Sequence, residues 1–249
     1  MGIFSIPLFS RDAVVPVWDR NAVMWFMVLS VGDAVNMAAF FGAMAKTTVA
    51  VAVLTHYFAP ILVALFAPLI DKQRVPGAVG SALIALVGLA LVLQPWDPTR
   101  VSGNVLLGAM LGTLSAFAYA SNIFSVRKLA AKVGAARAQG YHFFVSAVLL
   151  SPLAFTVSWD ALSGSGIARL AVGSLVTGTF AGWIFVRGMA VVGSARSAIL
   201  AFIEPLVAVI VGFLAFGEEL PPIALLGGAL IVLAGILVSR GQNATRSTD

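Results

Sequence analysis

Cysteine is absent from the 249 residues, which excludes a disulfide framework and any thiolate metal site. With two histidines, His56 and His142, a transition-metal centre lacks nitrogen ligands, and neither a metal nor another cofactor is expected. Charge is scarce too: Asp, Glu, Lys and Arg make up 10% of the chain, against about 25% in soluble domains. Also missing are HExxH, GxSxG and the phosphate-cradling GxxxxGK[ST] loop, so the sequence points to neither a hydrolase nor a nucleotide-driven pump. An enzyme is not expected. The first ten residues, MGIFSIPLFS, have no basic segment and no small-residue cleavage site follows them, so they do not read as a cleavable signal.

What the chain has in abundance is apolar surface. Sixty per cent of residues are hydrophobic and the mean hydropathy is +1.02, more than a soluble fold of this length can bury, so lipid is the expected solvent. The net charge of +5 sits in short clusters between apolar runs, with no basic arm, so no nucleic-acid partner is expected. Eight apolar segments can be read: 22–44, 48–70, 76–94, 104–124, 140–158, 167–187, 197–217 and 221–239. Each approaches the ~20 residues a helix needs to span hydrocarbon. Charged or turn residues separate them: DKQR at 71–74, PWDPTR at 95–100, SWDALSGSG at 158–166 and GEELPP at 217–222. Nothing alternates as a membrane β-barrel would. The expected fold is therefore an all-α membrane bundle of about eight helices with a polar, frayed tail at 241–249.

Basic residues orient the bundle. With the N-terminus in the cytoplasm, that side receives Arg11, Arg20, Lys72, Arg74, Arg127, Lys128, Lys132, Arg137, Arg187, Arg196, Arg240 and Arg246. The other side receives Lys46, Arg100 and Arg169, with the acidic pair Glu218–Glu219. Twelve against three satisfies the positive-inside rule, and both termini are expected in the cytoplasm, across an inner or plasma membrane.

The chain also repeats itself. GSALIALVGLAL (80–91) lies over GGALIVLAGILV (227–238) at a spacing of 147, and APILVALFAPLI (59–70) over EPLVAVIVGFLA (204–215) at 145. Pro60 then faces Pro205 in the alignment. Segment 48–70 runs inward under the charge count and 197–217 runs outward, which makes the repeat an inverted one. In inverted-repeat carriers, helices broken at matching positions of the two halves point to the substrate site. Pro60 and Pro205 are the hinge candidates.

IEPLVAVIVGFLAFGEEL, the six residues after it and GGALIVLAGILVSR (203–240), together with the echo THYFAPILVALFAPLIDKQRVPGAVGSALIALVGLALVL (55–93), resemble the EamA-type branch of the drug/metabolite transporter superfamily. The resemblance implies ten helices in two inverted halves of five. On it, residues 1–95 are a first repeat lacking its first two helices, with MGIFSIPLFSR similar to the end of the second. Residues 104–240 are a complete second repeat. The missing first helix would help to line a central cavity. A small-molecule substrate and the lipid bilayer are the implied partners, and a homodimer is compatible with it.

Asp33 and Glu204 are the carboxylates inside apolar segments. A charge at mid-membrane costs about 2.5–3.5 kcal/mol on insertion scales, so each needs a partner, a wet cavity or a proton. Glu204 reads either as a proton- or cation-responsive group or as a local hydrogen-bonding group at the break, since Pro205 leaves the carbonyl near residue 201 without its amide donor. Asp33 and Asn36 share a helix face, as a cavity wall or as an interhelical clamp. His56, one turn before Pro60, reads as a packing residue or a substrate contact. Ser115, Tyr119 and Asn122 fall on one face at 3–4 spacing and could line the cavity. His142, beside Tyr141, is expected near a helix start and interfacial. Trp183 and Arg187 fit an aromatic belt and snorkelling.

The leading expectation is a secondary carrier for a small metabolite, an amino acid or related compound, with export the direction favoured. Proton-coupled efflux of cationic drugs through Glu204 or Asp33 is the rival within transport. A non-transporting or truncated structural protein is the rival outside it.

Overall fold

A computed structural model of the chain describes residues 1–12, 14–98, 102–156, 163–217 and 221–246, with side chains, save that of Phe216, described as far as Arg240. The expected exposures of Arg100, Glu218, Glu219 and the Arg246 side chain, and the tail beyond 246, lie outside the described residues. Among those described there is no strand, only an isolated bridge between Thr47 and Gly103. The helices are α1 (Gly2–Ser5), α2 (Arg20–Lys46), α3 (Val49–His56), α4 (Ala59–Ile70), α5 (Ala78–Leu93), α6 (Val105–Val133), α7 (Ala135–Leu150), α8 (Gly164–Gly173), α9 (Gly182–Val192), α10 (Ser194–Leu200), α11 (Ile203–Phe216) and α12 (Pro222–Arg246). A π-helical stretch, Ser174–Ala181, joins α8 to α9.

Among the described residues, seven apolar stretches are long enough to cross a membrane: α2, α3–α4, α6, α7 with its tail, α8–α9, α10–α11 and α12. The eighth, α5, has 16 residues. All eight expected segments are thus helical, and the chain is a multi-pass membrane protein. Its packing shows why lipid is the solvent. Large apolar side chains point outward, with Leu69 and Leu214 each 75% exposed and Val191 80%. Small ones fill the interior, where Ala43, Ala52, Ala59, Ala82 and Ala85 are fully buried. Without a hydrophobic force between helices, close approach of small residues supplies the packing. α6 continues nine residues past the expected end at 124. Arg127, Lys128 and Lys132 end the apolar run but are good helix formers.

The chain divides into two compact units, residues 1–38 with 121–191 and residues 39–120 with 192–249. Each takes helices from both sides of the expected repeat boundary near 95–104.

In unit 1 the N-terminal segment lies on α7. Gly140 makes room for it, since a Cβ there would come within 2.9 Å of the Phe9 ring. The Asp12 carboxylate then caps α7, with Oδ1 accepting from the Ala136 amide and Oδ2 from the Arg137 amide, both at 3.0 Å. Gly134, at φ +93°, turns the chain beneath it, where a Cβ would strike the Asp12 side chain. Asp19 caps α2 through the Ala22 amide at 2.8 Å. It also pairs with Lys132. The Lys132 hydrogen bond, then that from Ala22, hold the Asp19 carboxyl below its usual range. Loss of such a cap costs about 0.5–2 kcal/mol. Asp12→Ala should therefore lower the melting temperature of the detergent-purified protein by about 1–8 °C, at ~2–4 °C per kcal/mol for this size. An unchanged transition would show that the cap contributes nothing.

In unit 2 two helices are broken at corresponding places. α3 gives way to α4 at Tyr57–Phe58, and α10 to α11 at Ala201–Phe202. The repeat spacing of 145 carries Tyr57 onto Phe202, and these two rings pack against one another, tilted by 48°, with centroids 5.0 Å apart. α5 and α12, whose sequences align at a spacing of 147, pack antiparallel: Gly88 meets Gly227 at one end, while Ala78 and Ala82 share a buried cluster with Val238 at the other. α10 also packs along α4, whereas the repeat-related pair, α3 and α11, has no comparable contact among the described elements.

Candidate functional site

The two breaks of unit 2 open a cavity of about 90 Å³ lined by His56, Tyr57, Ala59, Pro60, Tyr119, Ala201 and Glu204. Pro205 has no amide proton to offer the Ala201 carbonyl. That oxygen accepts instead from the Glu204 amide at 3.0 Å, and the Tyr57 hydroxyl, whose single proton it shares with the Glu204 carboxylate, lies 3.5 Å away. The same hydroxyl lies 3.3 Å from Glu204 Oε2. A tyrosine from one broken helix thus serves the break in the other. The Glu204 side chain is exposed at the rim, where its free oxygen can accept from a ligand.

α6 supplies the opposite wall. Gly112 lets it approach α3 closely, for a Cβ there would collide with Thr55. Ser115 Oγ donates to the Gly112 carbonyl at 2.8 Å and lies 2.8 Å from His56 Nδ1. The hydroxyl has one proton and gives it to the carbonyl, so Nδ1 of His56 donates to it and Nε2 is left as an acceptor. Phe40 and Tyr119 flank the imidazole with ring centroids at 4.7 and 5.0 Å. The cavity therefore offers a carboxylate, a phenol and an imidazole on a largely aromatic surface.

His56, Tyr119, Glu204, Pro60 and Pro205 come together here, with Ser115 holding His56 in place. Asp33, Asn36 and Asn122 belong to unit 1. The 3–4 spacing that joins Tyr119 to Asn122 in sequence is thus divided between the units. Tyr57 was not singled out from the sequence, although its place opposite Phe202 in the repeat was there to be read. His142 is a correction. α7 begins at Ala135, so His142 lies two turns inside it and is 3% exposed, not interfacial. Trp183 and Arg187 do pair, with the guanidinium carbon 5.0 Å from the ring centroid. The indole Nε1 is nevertheless buried without a hydrogen-bond partner among the described residues. No cluster of three metal-ligating side chains occurs among the described residues.

The profile of the EamA-like transporter family matches residues 106–240, more than half of the chain. The chain belongs to that family. Three relatives extend the likeness along the whole EamA-like chain. An uncharacterised transporter of Archaeoglobus fulgidus is 30% identical, over 94% of this chain and 80% of its own length. The pseudopaline exporter CntI of Pseudomonas aeruginosa is 26% identical, over 96% and 83%. The uncharacterised transporter YwfM of Bacillus subtilis is 26% identical, over 100% and 86%. A solved crystal structure superposes with a TM-score of 0.78 at 18% identity, over 96% of this chain and 84% of that one, which shows the shared fold. Membership makes this EamA-like chain a transporter and points away from an enzyme.

Proposed function

We propose that the chain is a secondary carrier that exports a small polar metabolite, an amino acid or an amine-bearing relative, by alternating access. The observation that carries the reading is the meeting of two helices, broken at repeat-related positions, around a cavity with a carboxylate at its rim. On this reading residues 1–95 and 104–240 act as inverted copies, and Pro60 and Pro205 mark the hinges. The contact of α10 with α4, without an equal one of α3 with α11, is one of two alternating arrangements. The charge bias supports an orientation with both termini on the cytoplasmic side of an inner or plasma membrane. The Glu204 carboxylate beside Tyr57, with Tyr119 in the same lining, suits an ammonium group, which aromatic faces also attract. That one relative is an exporter of pseudopaline supports the direction, and the amino-acid class is read from the lining alone.

Counterflow in proteoliposomes tests this. Vesicles loaded with an unlabelled amino-acid mixture should accumulate the same mixture carrying ¹⁴C, saturably and above protein-free vesicles. Uptake equal to protein-free vesicles across the mixture would sink the reading.

A further inference from the structure

The site above leaves unit 1's buried polar groups without a role. There α2 and α7 run antiparallel. Ser146 Oγ donates to the Ser30 carbonyl at 3.1 Å. One turn along, His142 Nε2 lies 3.9 Å from Asp33 Oδ2. Both side chains are largely withdrawn from the surface, at 4% and 13% exposed. The second imidazole nitrogen is held: Nδ1 lies 2.8 Å from the Ala138 carbonyl. A carbonyl only accepts, so Nδ1 carries a proton. An uncharged ring in that tautomer has a lone pair at Nε2. An ionised Asp33 also only accepts, so the two would face each other lone pair to lone pair. A single added proton removes that repulsion, whichever atom holds it. With the proton the pair is neutral as a whole. Without it a net negative charge is left inside a membrane protein, the costly case.

We propose that Asp33 and His142 together bind one exchangeable proton, and that this pair couples the carrier cycle to a proton gradient. The proposal rests on the carrier reading above and assigns the coupling to residues that the cavity in unit 2 does not contain.

A second observation supports exchange at this place. Asn36 Oδ1, one turn beyond Asp33 on the same helix face, is buried without a hydrogen-bond partner. So are Asn122 Oδ1 and Ser125 Oγ on the part of α6 that belongs to unit 1. Asn36 is 9% and Asn122 7% exposed. The unfilled Asn36 acceptor, on the same helix face as the Asp33 carboxylate, suits a proton carried with water, or a cation that takes its place. The remaining charged groups of this unit, among the described residues, are otherwise placed. Asp12 and Arg137 meet at the α7 N-terminus, Asp19 pairs with Lys132, and Arg187 lies over Trp183. The Tyr141 ring packs on Phe9 and Trp18. Arg11 and Arg20 lie at the start of α2 and before it, Arg127 and Lys128 further along α6, and Arg169 on α8. Among the described residues, Asp33 alone is in ion-pair range of His142.

With only two histidines in the chain, histidine-selective ¹⁵N NMR in lipid nanodiscs reads the pair directly, and His142→Gln assigns its signals. In the unmodified protein at pH 7, His142 Nε2 should resonate as a protonated or proton-sharing nitrogen. In Asp33→Asn it should become an unprotonated acceptor. An unprotonated Nε2 together with an ionised Asp33 carboxylate, read from its ¹³C shift in the same unmodified protein, would overturn proton sharing. In proteoliposomes carrying the ¹⁴C amino-acid mixture, a one-unit pH step should speed flux at least fivefold. Asp33→Asn and His142→Gln should each keep exchange at equal pH and lose that stimulation. Stimulation retained in both variants would overturn the coupling. If the unmodified protein moves no substrate, the carrier reading fails, and the NMR result alone then decides the proton site.

Discussion

Gly88→Val is expected to lower the melting temperature of the purified protein by about 6–12 °C, while Gly80→Ala leaves it unchanged or raises it. At Gly88 a Cβ would lie 2.6 Å from the Gly227 carbonyl oxygen and 3.1 Å from Ile231. The Gly227 oxygen is backbone and cannot rotate aside, so α5 and α12 must separate. Overpacking of this kind costs about 1–3 kcal/mol, and a branched side chain at a backbone contact belongs at the upper end. At ~2–4 °C per kcal/mol the expected shift follows. Gly80 has nothing within 4 Å of its Cβ position, and replacing glycine by alanine in a helix gains up to about 1 kcal/mol. A differential melt of both variants in one detergent checks the opposite signs. Equal shifts would mean that α5 and α12 do not pack at Gly88.

Glu204→Ala is expected to reduce counterflow at least tenfold with little change in melting temperature. The side chain is exposed, so its loss leaves no cavity in the core. A hydrogen bond to a charged group contributes about 1.5–3 kcal/mol, and 1.4 kcal/mol is a factor of ten in binding. Glu204→Gln keeps an acceptor for Tyr57 and removes the charge. Flux lost in both variants assigns the role to the charge, whereas flux kept in Gln and lost in Ala assigns it to the hydrogen bond that steadies Tyr57. Full activity in both would remove Glu204 from the transport site. Tyr57→Phe separates a structural part, because it takes one donor from the Ala201 carbonyl and should act on stability as well as on flux.

Much of the fold was legible. Apolar runs of spanning length become helices because lipid leaves backbone groups no partner but one another. The matched prolines at 60 and 205 predicted interruptions, and both helices break within three or four residues of them. The site was legible only in part. Glu204, His56 and Tyr119 stood out as polar groups in apolar surroundings, while Tyr57 and Ser115 became meaningful through the partners they meet. His142 was misplaced because the position of the α7 start, at Ala135, was read five residues late.

Sequence alone determined the solvent, the number of apolar segments, the repeat and the places where two helices must break, since each follows from local chain chemistry. The tertiary structure decided which faces meet. The repeat makes Gly80 equivalent to Gly227 and Gly88 to Gly235, yet Gly88 and Gly227 are the pair that touch. Likewise nothing in the pattern pairs Asp33 with His142. The physical reason is that helices apolar on all sides carry almost no amphipathic signal to name their buried face. Small-residue packing and a few polar contacts choose that face, and both depend on the partner helix.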